Sequence, residues 1–287
     1  MINNIDNENV YEEFFIKCKY YELNSLNTIF VESPNKEDKT GFLIMHLNVR
    51  SLQKNIDKLS LYVAQLKRKP DIIAVSETKL GINRVHENNE LSGYNFIHRG
   101  SLTNAGGVGI YINKNISFTE KETQFKPRLT EDLWIEVNIN QKPMTIGVIY
   151  RHPVYIAHEI DEFGKTLANV LHKLNINKSK FCILGDFNID LLQINQNNKV
   201  RKYANNLLAQ SCKCAIDIPT RISGNSRTLL DHVYVNDFEM NIVSGVGVYD
   251  ISDHFPVFIN FTSAVNPKKT SNKYFTRDLN NFVLKPF

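Results

Sequence analysis

The run FCILGDFNID, residues 181–190, places Asp186 and Asn188 two residues apart just after apolar residues and a glycine. The same arrangement recurs along the chain. Asn48 closes FLIMHLN, Glu77 closes DIIAVSE, and Tyr150 with Arg151 closes MTIGVIYR. Asp231 and His232 open DHVYV, while Ser252, Asp253 and His254 precede FPVFINF. Strand ends are where loops on a rigid scaffold present functional groups. Gathered in one place, Asn48, Glu77, Asp186, Asn188, Asp231, Asp253 and His254 would supply a site for a hard metal ion, a base and amide donors. Each residue alone is equally well explained as a turn cap. Their number at the ends of apolar runs is what points to a single site.

The elements that must hold these residues follow from hydrophobic patterning. GFLIMHLN is apolar throughout, as expected of a strand buried on both faces. Leu52, Ile56, Leu59, Val63 and Leu66 mark one face of a helix that ends before Pro70. DIIAVSE reads as a second buried strand. YNFIHR, GGVGIYIN, LWIEVNI and MTIGVIY read as four further strands in a meander. Ile156, Ile160, Phe163, Leu167, Val170 and Leu174 mark a long amphipathic helix, followed by the strand KFCILGD and a helix around VRKYANNLLAQ. LDHVYVN and HFPVFINF are the last strands. Mixed βαβ units and hairpins imply mixed sheets covered by helices.

The 287 residues allow one large domain or two small ones, and 42% hydrophobic with 22% charged residues is ordinary for a globular chain. A net charge of +4 permits a polyanionic partner without demanding one. Residues 1–40 read as a polar extension, 41–262 as the domain, and 263–287 as a basic tail or linker. No apolar run reaches the roughly 20 residues of a membrane span. MINNIDNENV has neither a basic start nor an apolar core, so an intracellular, nuclear address without a signal peptide is expected. The four cysteines are then expected as free thiols, including Cys212 and Cys214 of the CKC stretch, which lacks a partner pair at zinc spacing.

LNVRSL, SET, GVIYRHP, LGDFNIDLL, LLDHVYV and SDHFPV occur in that order. They resemble the endonuclease/exonuclease/phosphatase superfamily, in particular the apurinic-like endonuclease domain of LINE-type non-LTR retrotransposons. The resemblance covers about residues 41 to 262. It implies a four-layered α/β sandwich, DNase I-like, in which two packed mixed β-sheets are flanked by helices. It also implies a metal-dependent endonuclease that nicks duplex DNA, monomeric and without a membrane partner.

The resemblance implies roles as well. Glu77 ligates Mg²⁺, or Mn²⁺, with Asn48 beside it and Asp253 as a second metal or water contact. Asp186 orients and deprotonates water, and Asn188 donates to the scissile phosphate. Gly185 would permit a tight turn, and period-2 alternation would set Asp186 and Asn188 side by side. His254 contacts the phosphate and is oriented by Asp231, while Tyr150 offers its hydroxyl to a phosphate oxygen. Arg151, Thr220, Arg221 and Arg227, with Lys54 and Lys58, lie on the expected DNA side. His46 reads as a hydrogen-bonded core residue, and His232 as facing away from Asp231.

Two positions depart from the pattern. Thr228 stands where abasic-site repair enzymes carry a tryptophan, which argues against repair as the main role. Val154 follows YRHP where many retrotransposon copies have asparagine. The stretch KYFTRDLNNF resembles the linker leading towards a reverse transcriptase, so a truncated element or a fragment is expected. A decayed copy that binds nucleic acid without cutting it, a repair endonuclease and another phosphodiesterase are the alternatives.

Overall fold

The computed structural model describes residues 11–30, 41–81, 89–101, 105–125, 130–139, 142–153, 158–236 and 241–262. The linker at 31–40, the start of the long helix at Ile156, Val154 and the tail from 263 lie outside the described residues. In chain order the elements are β1 (Lys19–Tyr21), α1 (Leu23–Ile29), β2 (Phe42–Asn48), α2 (Leu52–Gln65), β3 (Ile72–Ser76), β4 (Tyr94–Arg99) and β5 (Val108–Asn113). Next come β6 (Phe118–Lys121), β7 (Thr130–Ile139), β8 (Lys142–Arg151), α3 (His158–Ile176), β9 (Lys180–Asp186) and α4 (Asn198–Leu208). The series ends with β10 (Lys213–Cys214), β11 (Arg221–Ser223), β12 (Ser226–Thr228), β13 (Asp231–Val235), β14 (Asn241–Gly247) and β15 (Val257–Thr262).

A seven-stranded sheet runs β1-β14-β15-β2-β3-β5-β4, and a six-stranded sheet runs β10-β13-β9-β8-β7-β6. Both mix parallel and antiparallel pairs, for β2 with β3 and β8 with β9 are parallel. The two sheets pack face to face with helices outside.

β2 shows why its run is apolar on both faces. Phe42 and Ile44 point into the core between the sheets, while Leu43, Met45 and Leu47 pack on Leu59, Tyr62, Val63 and Leu66 of the α2 region. The same alternation carries His46 and Asn48 down the inter-sheet face. The expected meander is divided between the sheets. β4 and β5 form a hairpin in the first, and β7 and β8 pair in the second.

Part of the expected polar N-terminal extension packs against the sheets. Tyr20 of β1 pairs with Val246 of β14, and Ile16 N donates to Cys214 O at 2.8 Å, so this segment touches both sheets. Phe14 is fully buried in the core. Its aromatic residues pack there because the sandwich leaves two sheet edges to cover.

His232 lies on the face of β13 opposite Asp231, stacked on Phe187 with ring centroids 4.8 Å apart. Its Nε2 faces the Ile189 carbonyl at 3.0 Å, and the Tyr234 hydroxyl lies 2.9 Å from Nδ1. Burial pushes the pKa of His232, and of His46, down to about 4. The unfolded imidazoles bind protons below about pH 6.5, which the folded chain refuses, so stability is lost as pH falls from there towards 4. Each buried imidazole should contribute on the order of 3 kcal/mol to that loss. Denaturant titrations at pH 7 and pH 4.5 should show a smaller decline for His232→Phe than for the natural chain. An equal decline would contradict this assignment.

Candidate active site

Strand register assembles a row of polar side chains across the second sheet. Glu131 pairs with Tyr150, Tyr150 with Asp186, and Asp186 with Asp231. Directly paired residues share a face, so the row lies along one end of the inter-sheet core. The first sheet brings Asn48 at the end of β2 and Glu77 just after β3 against it.

Asn48 joins the two sheets. Its Nδ2 donates to Glu77 Oε1 at 2.9 Å and to Asp186 Oδ2 at 2.7 Å. Its Oδ1 accepts from Arg50 N at 3.0 Å, which fixes the direction of the amide. Asn48 therefore presents hydrogens to the site, and its expected place beside a metal is that of a spacer between carboxylates. Glu77 holds a left-handed backbone (φ +50°), and burial, with the Glu77 and Asp186 charges nearby, pushes the Tyr150 hydroxyl's pKa up.

Asp186 and Asn188 come together differently from the expectation. β9 ends at Asp186, and the chain turns there so that Asn188 N donates to Asp186 Oδ1 at 3.0 Å, with Asn188 at φ +47°. An Asx-type turn, not strand alternation, sets them side by side. Gly185 is not in that turn. It lies in the strand, where a Cβ would run into the Ile149 carbonyl of β8. The Asn188 amide donates to Arg151 O at 2.7 Å, which leaves its second hydrogen for another acceptor.

Asp231 is fully buried behind His254. Its Oδ2 lies 2.8 Å from His254 Nδ1 and accepts from Thr220 Oγ1 at 2.7 Å. Burial opposes both charges, but each outweighs that cost for the other. His254 is pushed up to about 9, and Asp231 is held below the usual carboxylate range. His46 Nδ1 stands 3.6 Å from Asp231 Oδ1, yet burial keeps His46 neutral, so the contact is no ion pair. Burial, then the nearby Asp231 charge, raises the pKa of Asp186, and His254 only partly offsets this.

Three side chains lie in surroundings that their expected roles did not anticipate. Arg151 is 2% exposed, with Nη1 near the Phe187 and Asn188 carbonyls at 3.3 Å, so it braces the turn after Asp186 and does not face DNA. Thr220 is fully buried and orients Asp231 from behind. Asp253 Oδ2 accepts from Arg50 Nη1 at 2.9 Å and from Arg221 Nε at 2.8 Å, while its buried Oδ1 has no hydrogen-bond partner among the described residues. Arg227 is exposed on the β11–β12 hairpin, and Lys54 and Lys58 are exposed on α2. Sequence reasoning missed Arg50, although it sits within the LNVRSL block, and it missed Glu131.

The donor chemistry fits a hard divalent ion at Glu77. Such an ion takes one or two carboxylates and completes its shell with water and phosphate oxygens. Asp186, Asp231 and His254 also offer ligand atoms within 4.8 Å of one another. That group suits proton chemistry better, because an imidazole kept protonated by Asp231 has no lone pair for a metal.

Residues 45–254 match the family described as Endonuclease/Exonuclease/phosphatase. No curated protein matches the sequence. Among solved structures, the chain resembles the AP endonuclease LMAP from Leishmania major at 14% identity and TM-score 0.61, over 83% of this chain and 94% of that one. It resembles the endonuclease domain of TRAS1, a telomere-specific non-LTR retrotransposon, at 12% identity and TM-score 0.60, over 77% and 98%. It also resembles the 3′ phosphatase NExo from Neisseria, bound to product DNA hairpin, at 17% identity and TM-score 0.54, over 77% and 99%. The sandwich of two mixed sheets is the fold shared with these proteins.

Proposed function

The chain belongs to the endonuclease/exonuclease/phosphatase family, whose members hydrolyse phosphoesters, and from that premise we propose that it is a divalent-metal-dependent endonuclease that nicks duplex DNA. The observation that carries this reading is the Asn48 amide bonded at once to Glu77 and Asp186, beside the Asp231–His254 pair. This arrangement supports a cation, a base and a charged donor acting together on one phosphate.

Asp186, its pKa raised by burial, takes the proton of the attacking water at a carboxylate oxygen. His254, kept protonated by Asp231, donates to a phosphate oxygen and offsets its growing charge. Asn188 offers its second amide hydrogen to the same group. Tyr150, at the end of β8 beside Asp186, offers its hydroxyl to a phosphate oxygen. The chemistry that Mg²⁺ or Mn²⁺ supplies when bound at Glu77 is neutralisation of charge on the phosphate and the departing oxygen. Arg50 and Arg221, aligned on Asp253, and Arg227 on the neighbouring hairpin contact flanking backbone phosphates. No helix among the described residues is long and apolar enough to cross a membrane.

The six sequence blocks and the likeness to the TRAS1 endonuclease domain support target-site nicking for a non-LTR retrotransposon. Such an element primes synthesis from the nick, which requires a free 3′-hydroxyl. Attack by water opposite the 3′-oxygen leaves that hydroxyl and a 5′-phosphate. DNA polymerase added after the reaction should extend the new end without phosphatase treatment. Blocked 3′ ends, or strong preference for abasic over intact DNA, would count against the reading.

A further inference from the structure

We infer that Glu131 is a positioning residue that fixes the Glu77 loop through Ser101, Gly106 and Gly107. The inference rests on the reading of Glu77 as the metal ligand. Glu131 ends the polar row on β7 and is 8% exposed. Oε1 accepts from Ser101 Oγ at 2.6 Å and lies 3.4 Å from His152 Nε2, and Oε2 accepts from Gly107 N. Burial alone would raise its pKa, but the bonds from His152, Ser101 and Gly107 outweigh burial and hold it below the usual range. A buried carboxylate with several aimed donors is costly to build unless it fixes something.

What it fixes is the segment after Glu77. Thr78 N donates to Gly107 O at 3.1 Å, Lys79 N to Gly106 O at 2.8 Å, and Ser101 N to Leu80 O at 3.0 Å. Three consecutive residues are thus tied to the three that surround the Glu131 carboxylate. The glycines are required for this approach. A Cβ on Gly106 would collide with the Glu131 carboxylate, and one on Gly107, at φ +98°, with Thr78 Oγ1. Glu77 itself keeps a left-handed backbone, at φ +50°, which a residue with a side chain rarely adopts. Such a conformation persists where its surroundings over-determine it, and the Glu131 contacts are those surroundings. Glu131 does not touch Glu77.

Mn²⁺ binding to the DNA-free chain, followed by electron paramagnetic resonance, tests the role alongside thermal melting. Glu131→Gln puts an amide NH₂ where one acceptor oxygen stands, so one donor loses its partner. Its Mn²⁺ affinity should fall several-fold, less than the ~10–100-fold that follows loss of a group bonded directly to a ligand, because Glu131 acts through the backbone of residues 78–80. Gly106→Ala, which displaces the same carboxylate without changing charge, should weaken binding in the same direction. Glu77→Gln serves as the reference and should bind least. If Glu77→Gln binds as well as the natural chain, the metal reading itself fails. With Glu77→Gln impaired, unchanged affinity in folded Glu131→Gln, or in Gly106→Ala if the first does not fold, would overturn the positioning role alone. A lowered melting temperature with unchanged affinity would do the same.

Discussion

Asp186→Asn is expected to lower DNA nicking by about 10²–10⁴-fold, the range that a positioned general base contributes. The side chain is 1% exposed, and its two oxygens are held by Asn48 and by the backbone of Asn188. The asparagine keeps the shape and the turn but cannot accept the proton of water. It also removes one of two buried carboxylates paired directly across β9 and β13. The amide also sets an NH₂ against the Asn48 amide or Asn188 N, which offsets that relief, so folding stability should change little while activity is lost, a separation that a purely structural role for Asp186 would not give. Single-turnover nicking of supercoiled plasmid, with melting temperatures measured in parallel, reads both effects. Retention of most activity by a folded variant would remove Asp186 from the mechanism.

Asp231→Asn should damage both activity and stability. It leaves His254 and Thr220 facing a neutral amide inside the protein. Breaking a buried charge pair from one side typically costs about 3–5 kcal/mol. The folded pKa of His254, about 9, lies above its unfolded value. The stability it contributes is therefore full below about pH 6.5 and is lost as pH rises through 9. In Asp231→Asn that alkaline decline should flatten, because His254 no longer gains its anion. Nicking at neutral pH should fall by about 10²-fold or more as the imidazolium donor disappears. Urea titrations between pH 6 and pH 10 check the first effect. An unaltered alkaline decline would mean that His254 takes its charge from another source.

The contrast between these residues and their neighbours shows how much the sequence could reveal. Continuous apolar runs made β2, β3 and β9 legible, because strands covered on both faces have no polar side to show. β14 was missed, since glycine and serine interrupt NIVSGVG and its outer end is exposed. The three residues of β1 carry too short a pattern to read. Residue types at strand ends point to where polar side chains converge, but types do not give direction. Asn48 turns its hydrogens inward because Arg50 N claims its oxygen, and Arg151 turns beneath the turn at Asn188. Asp253 was legible as a carboxylate near the site, whereas its two arginine partners are distant in sequence. Glu131 stands in TEDLWIEV among other acids, and only the register of β7 on β8 aligns it with Tyr150 and Asp186.

The central claim is that the Asn48–Glu77–Asp186 junction and the Asp231–His254 pair hydrolyse DNA phosphodiesters with a divalent ion. Its most direct test is the conversion of supercoiled plasmid to open circles by the natural chain and by Asp186→Asn, with Mg²⁺ or Mn²⁺ and with EDTA. Nicking by the natural chain that EDTA abolishes and the variant lacks is the predicted result. Intact plasmid across a range of both metals, or equal nicking by the variant or in EDTA, would contradict it.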